Sequence, residues 1–267
     1  MEVPPEPPRS LNHLNDPLAK QLLEDGGELI YERFSKCLIK HACGQKVTKM
    51  NSSGIRVSEV EAMRCVAENT TIPVPRVYEV GDRYYTMDFI EGEPLRELWD
   101  KKFNEEDRAL VRRQLRGYIN QMRAIKSPDG VICTFGYWPA VDRRMFLHEG
   151  GPFTNESDNN DFLTSDLHKL PITEILREQL RKTEGHEIVF THGDLHAINI
   201  LARPGEGIIA IIDWEVVGFY PEYFDFVKPY RPANWGCGYY PEFFEIFPKR
   251  YDAEFVVDQL LSQYARH

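Results

Sequence analysis

Over the first third of the chain, apolar and polar positions alternate in short runs; after that, apolar residues recur mainly at helical spacing. Glu28-Leu-Ile-Tyr31, Lys36-Cys-Leu-Ile-Lys40 and Lys46-Val-Thr-Lys-Met50 read as strands, the last two joined by a turn at Cys43-Gly44. Ser58 is placed to cap a helix, and Glu59 and Glu61 in its first turn suit the positive end of the helix dipole. Met63, Val66 and Ala67 continue that helix. Thr71-Ile-Pro-Val-Pro75 ends it, because a residue before proline avoids the helical region. Two more strands follow, Arg76-Val-Tyr-Glu-Val80 and Arg83-Tyr-Tyr-Thr-Met-Asp-Phe89, separated by the turn Gly81-Asp82.

Helices dominate the remainder. Pro94 to Lys101 reads as a short one, and Asn104 caps a longer one with Glu105, Glu106 and Asp107 in its first turn. Its apolar positions Val111, Leu115, Tyr118, Ile119 and Met122 lie on one face and belong to a core. Pro171 to Thr183 and Asp252 to Ala265 are further amphipathic helices, whereas Gly130 to Asp161, rich in Gly, Pro, Asn and Asp, reads as a long loop. The opening Met1-Glu-Val-Pro-Pro-Glu-Pro-Pro8 is too proline-rich to pack.

One stretch interrupts this helical pattern. Glu187-Ile-Val-Phe190 leads into Thr191-His-Gly-Asp-Leu-His-Ala-Ile-Asn-Ile-Leu201, and Pro204-Gly-Glu-Gly207 turns the chain back into Ile208-Ile-Ala-Ile-Ile212. The hairpin carries Asp194, Asn199 and Asp213 on polar turns at its strand ends. Hard divalent cations want such oxygen ligands and keep part of their water. Phosphoryl transfer needs the same parts: a carboxylate to accept a hydroxyl proton, and an Asn and an Asp to hold magnesium.

His192-Gly-Asp194, Asn199 and Ile212-Asp-Trp214 together resemble the catalytic and metal-binding segments of the aminoglycoside phosphotransferase and choline kinase family, distant relatives of protein kinases. Gly151-Pro-Phe-Thr-Asn-Glu156 and Gly218-Phe-Tyr-Pro-Glu-Tyr-Phe-Asp-Phe226 look like segments of the family's fungal branch, so the resemblance covers roughly residues 28–264. It implies an α+β, two-lobed protein-kinase-like fold. A small antiparallel-sheet N-lobe with one helix (residues 21–90) would follow a flexible tail (1–20) and precede a larger, mainly helical C-lobe (91–267). It implies Asp194 as catalytic base, Asn199 and Asp213 as magnesium ligands, and His192 as a brace of the catalytic loop. Lys49, on the third strand, would hold the ATP phosphates and pair with a helix glutamate. Glu59 is preferred over Glu61, since Met63 and Val66 then follow at i+4 and i+7 on the lobe-facing side; the two glutamates lie about 200° apart around a helix, so only one can face the cleft. Met87-Asp-Phe-Ile-Glu-Gly92 looks like the hinge, with Met87 behind the adenine and Asp88 C=O and Ile90 N–H as its partners. No Gly-x-Gly-x-x-Gly loop precedes Lys49, so the turn Glu32-Arg-Phe-Ser35 is left to cover the phosphates through backbone N–H groups and the Ser35 hydroxyl. His196 either braces the loop or reaches the acceptor.

Composition narrows the rest. At 267 residues, one large domain or two lobes sharing a cleft can be built. A net charge of -10 argues against a nucleic-acid partner and, with Glu215, Glu222 and Asp225 following the metal site, favours a cationic small-molecule acceptor. Those three acids read equally well as a solvated helix face. No apolar run approaches the roughly 20 residues of a membrane span, and the N-terminus lacks a basic-then-apolar leader. Five scattered cysteines without metal-ligand spacing read as reduced thiols, hence a cytoplasmic protein. Trp235, Tyr239, Tyr240, Phe243 and Phe244 read as core before they read as a stacking surface. A protein kinase is disfavoured by the lack of an Ala-Pro-Glu segment and of an obvious activation loop, and a nucleotide-binding pseudokinase would share every motif.

Overall fold

The computed structural model of the protein describes residues 16–264 apart from residues 128, 143–147, 168–169 and 231–236. The first described element, α1 (Pro17–Glu24), starts at an Asp16 whose carboxylate accepts the Leu18 N–H at 2.9 Å, with proline at the first helical position. Residues 17–20 were expected in the tail. They are helical because Leu18, Ala19, Leu22 and Leu23 cover an apolar sheet face.

That sheet is antiparallel and comprises β1 (Glu28–Arg33), β2 (Lys36–Lys40), β3 (Lys46–Asn51), β4 (Val77–Val80) and β5 (Tyr84–Asp88) in the order β1-β2-β3-β5-β4. Alternation along the strands divides its side chains cleanly. Cys37, Ile39 and Met50 point toward α1. Lys36 and Leu38 of β2 share the other face with Lys49, which pairs with Leu38 on one side and Tyr85 on the other. Between β3 and β4 runs α2 (Val57–Asn69), whose Val60, Met63 and Val66 pack into the main core with Tyr85. Ser58 does not cap it. Arg56 is the last extended residue and makes no side-chain cap bond, so Ser58 falls inside the first turn, buried. The Arg56 side chain turns instead to two glutamates, described below.

The second region begins with β6 (Glu93–Pro94) and α3 (Leu95–Leu98), shorter than the expected Pro94–Lys101 helix. Next comes α4 (Glu105–Ala124), whose start is a capping box: Asn104 Oδ1 accepts the Asp107 N–H at 2.9 Å and Asp107 Oδ2 accepts the Asn104 N–H at 3.2 Å. Val111, Leu115, Ile119 and Met122 are buried, as the spacing predicts. Residues 130–161, expected as one loop, contain β7 (Cys133–Thr134), β8 (Ala140–Asp142), β9 (His148–Gly150) and the start of α5 (Glu156–Thr164). These strands are only two or three residues long, too short to leave an alternation.

Beyond α6 (Thr173–Thr183) lie β10 (Ile188–Thr191), β11 (Ile200–Arg203), β12 (Gly207–Ile211) and β13 (Gly218–Pro221). They form two small sheets, β12-β11-β6 and β10-β13-β7. The helices α7 (Phe224–Val227), α8 (Tyr239–Phe243) and α9 (Asp252–Tyr264) complete the described chain. Tyr239, Tyr240 and Phe243 are core residues and Phe244 packs against them, while Trp235 lies outside the described residues. Among the described residues no helix is long and apolar enough to cross a membrane.

Candidate functional site

The β11–β12 hairpin sets the site. Ile200 pairs with Ile211, so the residues just outside that pair, Asn199 and Ile212, meet at the open end, where Ile212 N–H bonds Asn199 C=O at 2.9 Å. Asp213 therefore follows directly beside Asn199. From the closed end, α4 steadies the hairpin: Asp107 Oδ1 accepts the Gly205 N–H at 2.7 Å and Gln114 Oε1 the Ile208 N–H at 2.9 Å.

Upstream of Asn199 the loop is almost wholly buried and tied at every turn. Gly193 has a φ of +78°, and a Cβ there would stand 2.7 Å from Val216 O, so only glycine fits between His192 and Asp194. His192 Nδ1 accepts the Asp194 N–H at 3.2 Å while its Nε2 faces Ile212 C=O at 3.1 Å, which fixes the tautomer with the proton on Nε2. Burial pushes its pKa below the usual imidazole range, against the pull of Asp225 and Asp194, so the ring is neutral. Trp214 lies against this ring at 4.5 Å and donates its Nε1–H to Ile211 C=O. Asn199 Nδ2 donates to Asp194 C=O at 2.8 Å and to Asp194 Oδ2 at 3.2 Å, leaving its amide oxygen as the group able to accept or coordinate. His196 stands between Asp194 Oδ1, 3.4 Å from Nε2, and the Tyr240 hydroxyl, 3.1 Å from Nδ1.

Across from the hairpin, Lys49 bridges the two regions of the chain. Its Nζ lies 2.7 Å from Glu59 Oε1 on α2 and 2.9 Å from Asp213 Oδ1. Burial opposes the ammonium charge, but Asp213 and Glu59 more than offset it and hold the Lys49 pKa well above the ordinary lysine value. Burial likewise raises the Glu59 pKa, with Lys49 pulling it back. Glu59 thus takes the position that helix geometry left to one of two glutamates, and Glu61 is exposed. Asp213 has a φ of +62°, a left-handed conformation that Asp tolerates better than most residues.

The other expected positions are partly assembled. Ser35 sits in the β1–β2 turn, its carbonyl accepting the Ser52 N–H at 2.8 Å. Met87 lies on the Lys49 face of the sheet and packs against the main core. Asp88 ends β5, and its carboxylate accepts the Arg76 N–H and the Tyr78 hydroxyl at 2.9 and 2.7 Å. Ile90 follows, half-buried, in the connection to β6.

Glu215, Glu222 and Asp225 do not form an open anionic wall. Asp225 is buried, its Oδ1 and Oδ2 accepting the N–H groups of Gly193 and His192 at 2.7 and 3.1 Å. Burial raises its pKa, opposed by His192 and those two N–H donors. Glu222 accepts the Tyr251 hydroxyl at 2.7 Å and lies 3.4 Å from Lys249. Buried Glu215 meets Lys36 at 2.6 Å and Arg56 at 3.8 Å. The bracing by Asp225 was missed. A buried, glycine-containing turn does announce N–H groups in need of acceptors, but not which carboxylate will supply them.

A small antiparallel sheet facing a mainly helical region, with a lysine–glutamate pair across from an His-Gly-Asp loop, is the arrangement of a kinase-like phosphotransferase. The chain belongs to the phosphotransferase enzyme family, which it matches over residues 56–260, and is an enzyme of the small-molecule kinase class. Three solved structures give the scale of the likeness. The ADP-bound aminoglycoside phosphotransferase APH(2'')-Ib aligns with a TM-score of 0.64 at 16% identity, covering 94% of this chain and 90% of that one. A thermostable mutant of aminoglycoside phosphotransferase APH(4)-Ia aligns at 0.62, 16% identity and 92% of each chain. The streptomycin–ATP ternary complex of APH(2")-IIa aligns at 0.57 and 14% identity, over 92% of this chain and 95% of that one. At these identities the likeness is one of fold. No curated protein matches the sequence significantly.

Proposed function

We propose that the enzyme transfers the terminal phosphoryl group of magnesium-ATP to a hydroxyl of a small, cationic acceptor. The observation that carries this reading is Lys49 held between Glu59 and Asp213, opposite the loop that presents Asp194 and Asn199. Such a lysine stays charged and aimed, as phosphate binding requires. Asp194 orients the acceptor hydroxyl and takes its proton, while His192 and Asp225 hold the loop in register. The donor set suits magnesium, which takes one or two carboxylates plus substrate phosphates and water in place of an all-protein cage. Asp213 supplies the carboxylate and Asn199 the amide oxygen, and among the described residues no group of three or more His, Cys, Asp or Glu is arranged to hold a metal ion without such help. When bound, the metal neutralises charge on the phosphates. Met87, Asp88 and Ile90 would take the adenine and Ser35 the outer phosphates.

A cationic acceptor is supported by the net charge of -10 and by neighbours solved with gentamicin, streptomycin and kanamycin. All five cysteines are free, in keeping with a cytoplasmic setting. The test is Asp194→Asn, assayed for ATP consumption over hydroxylated amines, with phosphorus NMR of the product. Magnesium-ATP binding should persist while kcat falls roughly 10²–10⁴-fold, the usual range for a lost general base. Wild-type turnover in the variant, on a confirmed acceptor, overturns the assignment.

A further inference from the structure

Lys49 is not the sole cation on the cleft face of the sheet. Strand alternation sets Lys36 on the same face, since Leu38 pairs with Lys49 and Lys36 lies two residues from Leu38, about 7 Å along the strand toward the β1–β2 turn. Its ammonium bonds Glu215 at 2.6 Å. Glu215 stands two residues after Asp213, so each cleft lysine is paired with an acid from the segment that follows β12. The Glu215 side chain is 6% exposed and is shared with Arg56, which also reaches Glu149 at 2.6 Å. Cations from the sheet and from the start of α2 thus converge on one buried carboxylate beside the expected metal ligand.

That convergence falls where a glycine-rich loop is missing. The β1–β2 connection is a tight turn, with Phe34 at a φ of +51° and 72% exposed, and it places Lys36 at its exit. A Lys ammonium is a mobile point charge on a flexible stem, suited to exchanging one anion for another. Breaking a buried ion pair is costly when it strands a lone charge, but Arg56, 3.8 Å from Glu215, stays beside the carboxylate when Lys36 turns to phosphate oxygens. We propose that Lys36 is a second phosphate-binding lysine, held on Glu215 before the nucleotide arrives and transferred to its outer phosphates on binding. The proposal rests on the phosphotransferase reading above.

Calorimetric titration with adenosine, ADP and ATP, the nucleotides with and without magnesium, separates the alternatives without any turnover. Lys36→Ala, or Lys36→Gln if the alanine variant does not fold, should weaken ATP roughly tenfold or more while leaving adenosine affinity unchanged. The loss should grow from adenosine to ADP to ATP. Glu215→Gln releases the lysine and should tighten metal-free ATP. If Lys36→Ala weakens adenosine and ATP alike, or neither, Lys36 only ties the two regions together and the inference is wrong. If the wild-type protein binds adenosine but gains nothing from the phosphates or from magnesium, the phosphotransferase reading itself falls.

Discussion

Asp225 accepts two backbone N–H groups from residues 33 and 32 positions earlier, the pair immediately before Asp194. Asparagine offers one acceptor oxygen where the carboxylate offers two, so Asp225→Asn leaves one buried N–H without a partner, at a cost of about 1–3 kcal/mol. The expected result is a lower melting temperature together with a fall in kcat that exceeds any change in KM for ATP. An unchanged kcat would mean that the loop holds its shape unaided. At the metal, Asp213→Ala should weaken magnesium-dependent ATP binding more than Asn199→Ala does, because a carboxylate carries a full charge and a carboxamide oxygen is neutral. Titration of both variants with magnesium-ATP checks the ranking, and equal or reversed losses would overturn it. Residues placed by local spacing were legible in sequence: Asp194, Asn199 and Asp213 stand together as their motif led one to expect, and Glu59 of the two helix glutamates meets Lys49. Glu215 and Asp225 were not, because their partners come from β2, from α2 and from backbone groups that no spacing reveals.

Among the elements, legibility followed the clarity of the local apolar pattern. The long helix α4 showed both its cap and its buried stripe, and the five sheet strands fell within about two residues of their expected bounds. The strands β7, β8 and β9 are made by pairing alone, and α1 is helical because a sheet face needs a cover. The Asn104 cap has a consequence beyond its helix, since Asp107, its partner, also holds the β11–β12 turn. Asn104→Ala should cost about 1 kcal/mol, the usual value for a lost cap, read as a drop in melting temperature. A second joint involves His186, which lies between α6 and β10. Its Nδ1 is 2.8 Å from Glu156 on α5 and its Nε2 is 3.2 Å from Glu254 on α9. Burial lowers the His186 pKa, but hydrogen bonds to both glutamates outweigh it and raise the value to about 9. The folded state therefore binds this proton more tightly than the unfolded chain does. The resulting stability is fully present below pH of about 6.5 and is lost as pH rises through about 9, a change of at most about 3 kcal/mol. Melting curves from pH 6 to 9.5 should show the wild-type protein losing its advantage over His186→Gln. A constant gap across that range would contradict the joint.

For the whole molecule, the surplus of 42 acidic over 32 basic residues should draw a cationic acceptor toward the protein, and salt should screen that pull. KM for the acceptor is expected to rise with ionic strength while kcat holds. A KM indifferent to salt would point to a neutral acceptor. Asp225 is buried and Glu222 is engaged by Tyr251 and Lys249, so the effect belongs to the overall field. The short path from β12, ending at Ile211, to β13, starting at Gly218, has a different consequence. A protein kinase carries its on–off switch in the stretch between its metal-binding aspartate and its substrate platform. Here the stretch after Asp213, Trp214 to Val217, is buried throughout, with Trp214 packed on the His192 ring. It offers no hydroxyl to modify and no slack to refold. A switch of that kind therefore has nothing to act on in these four residues.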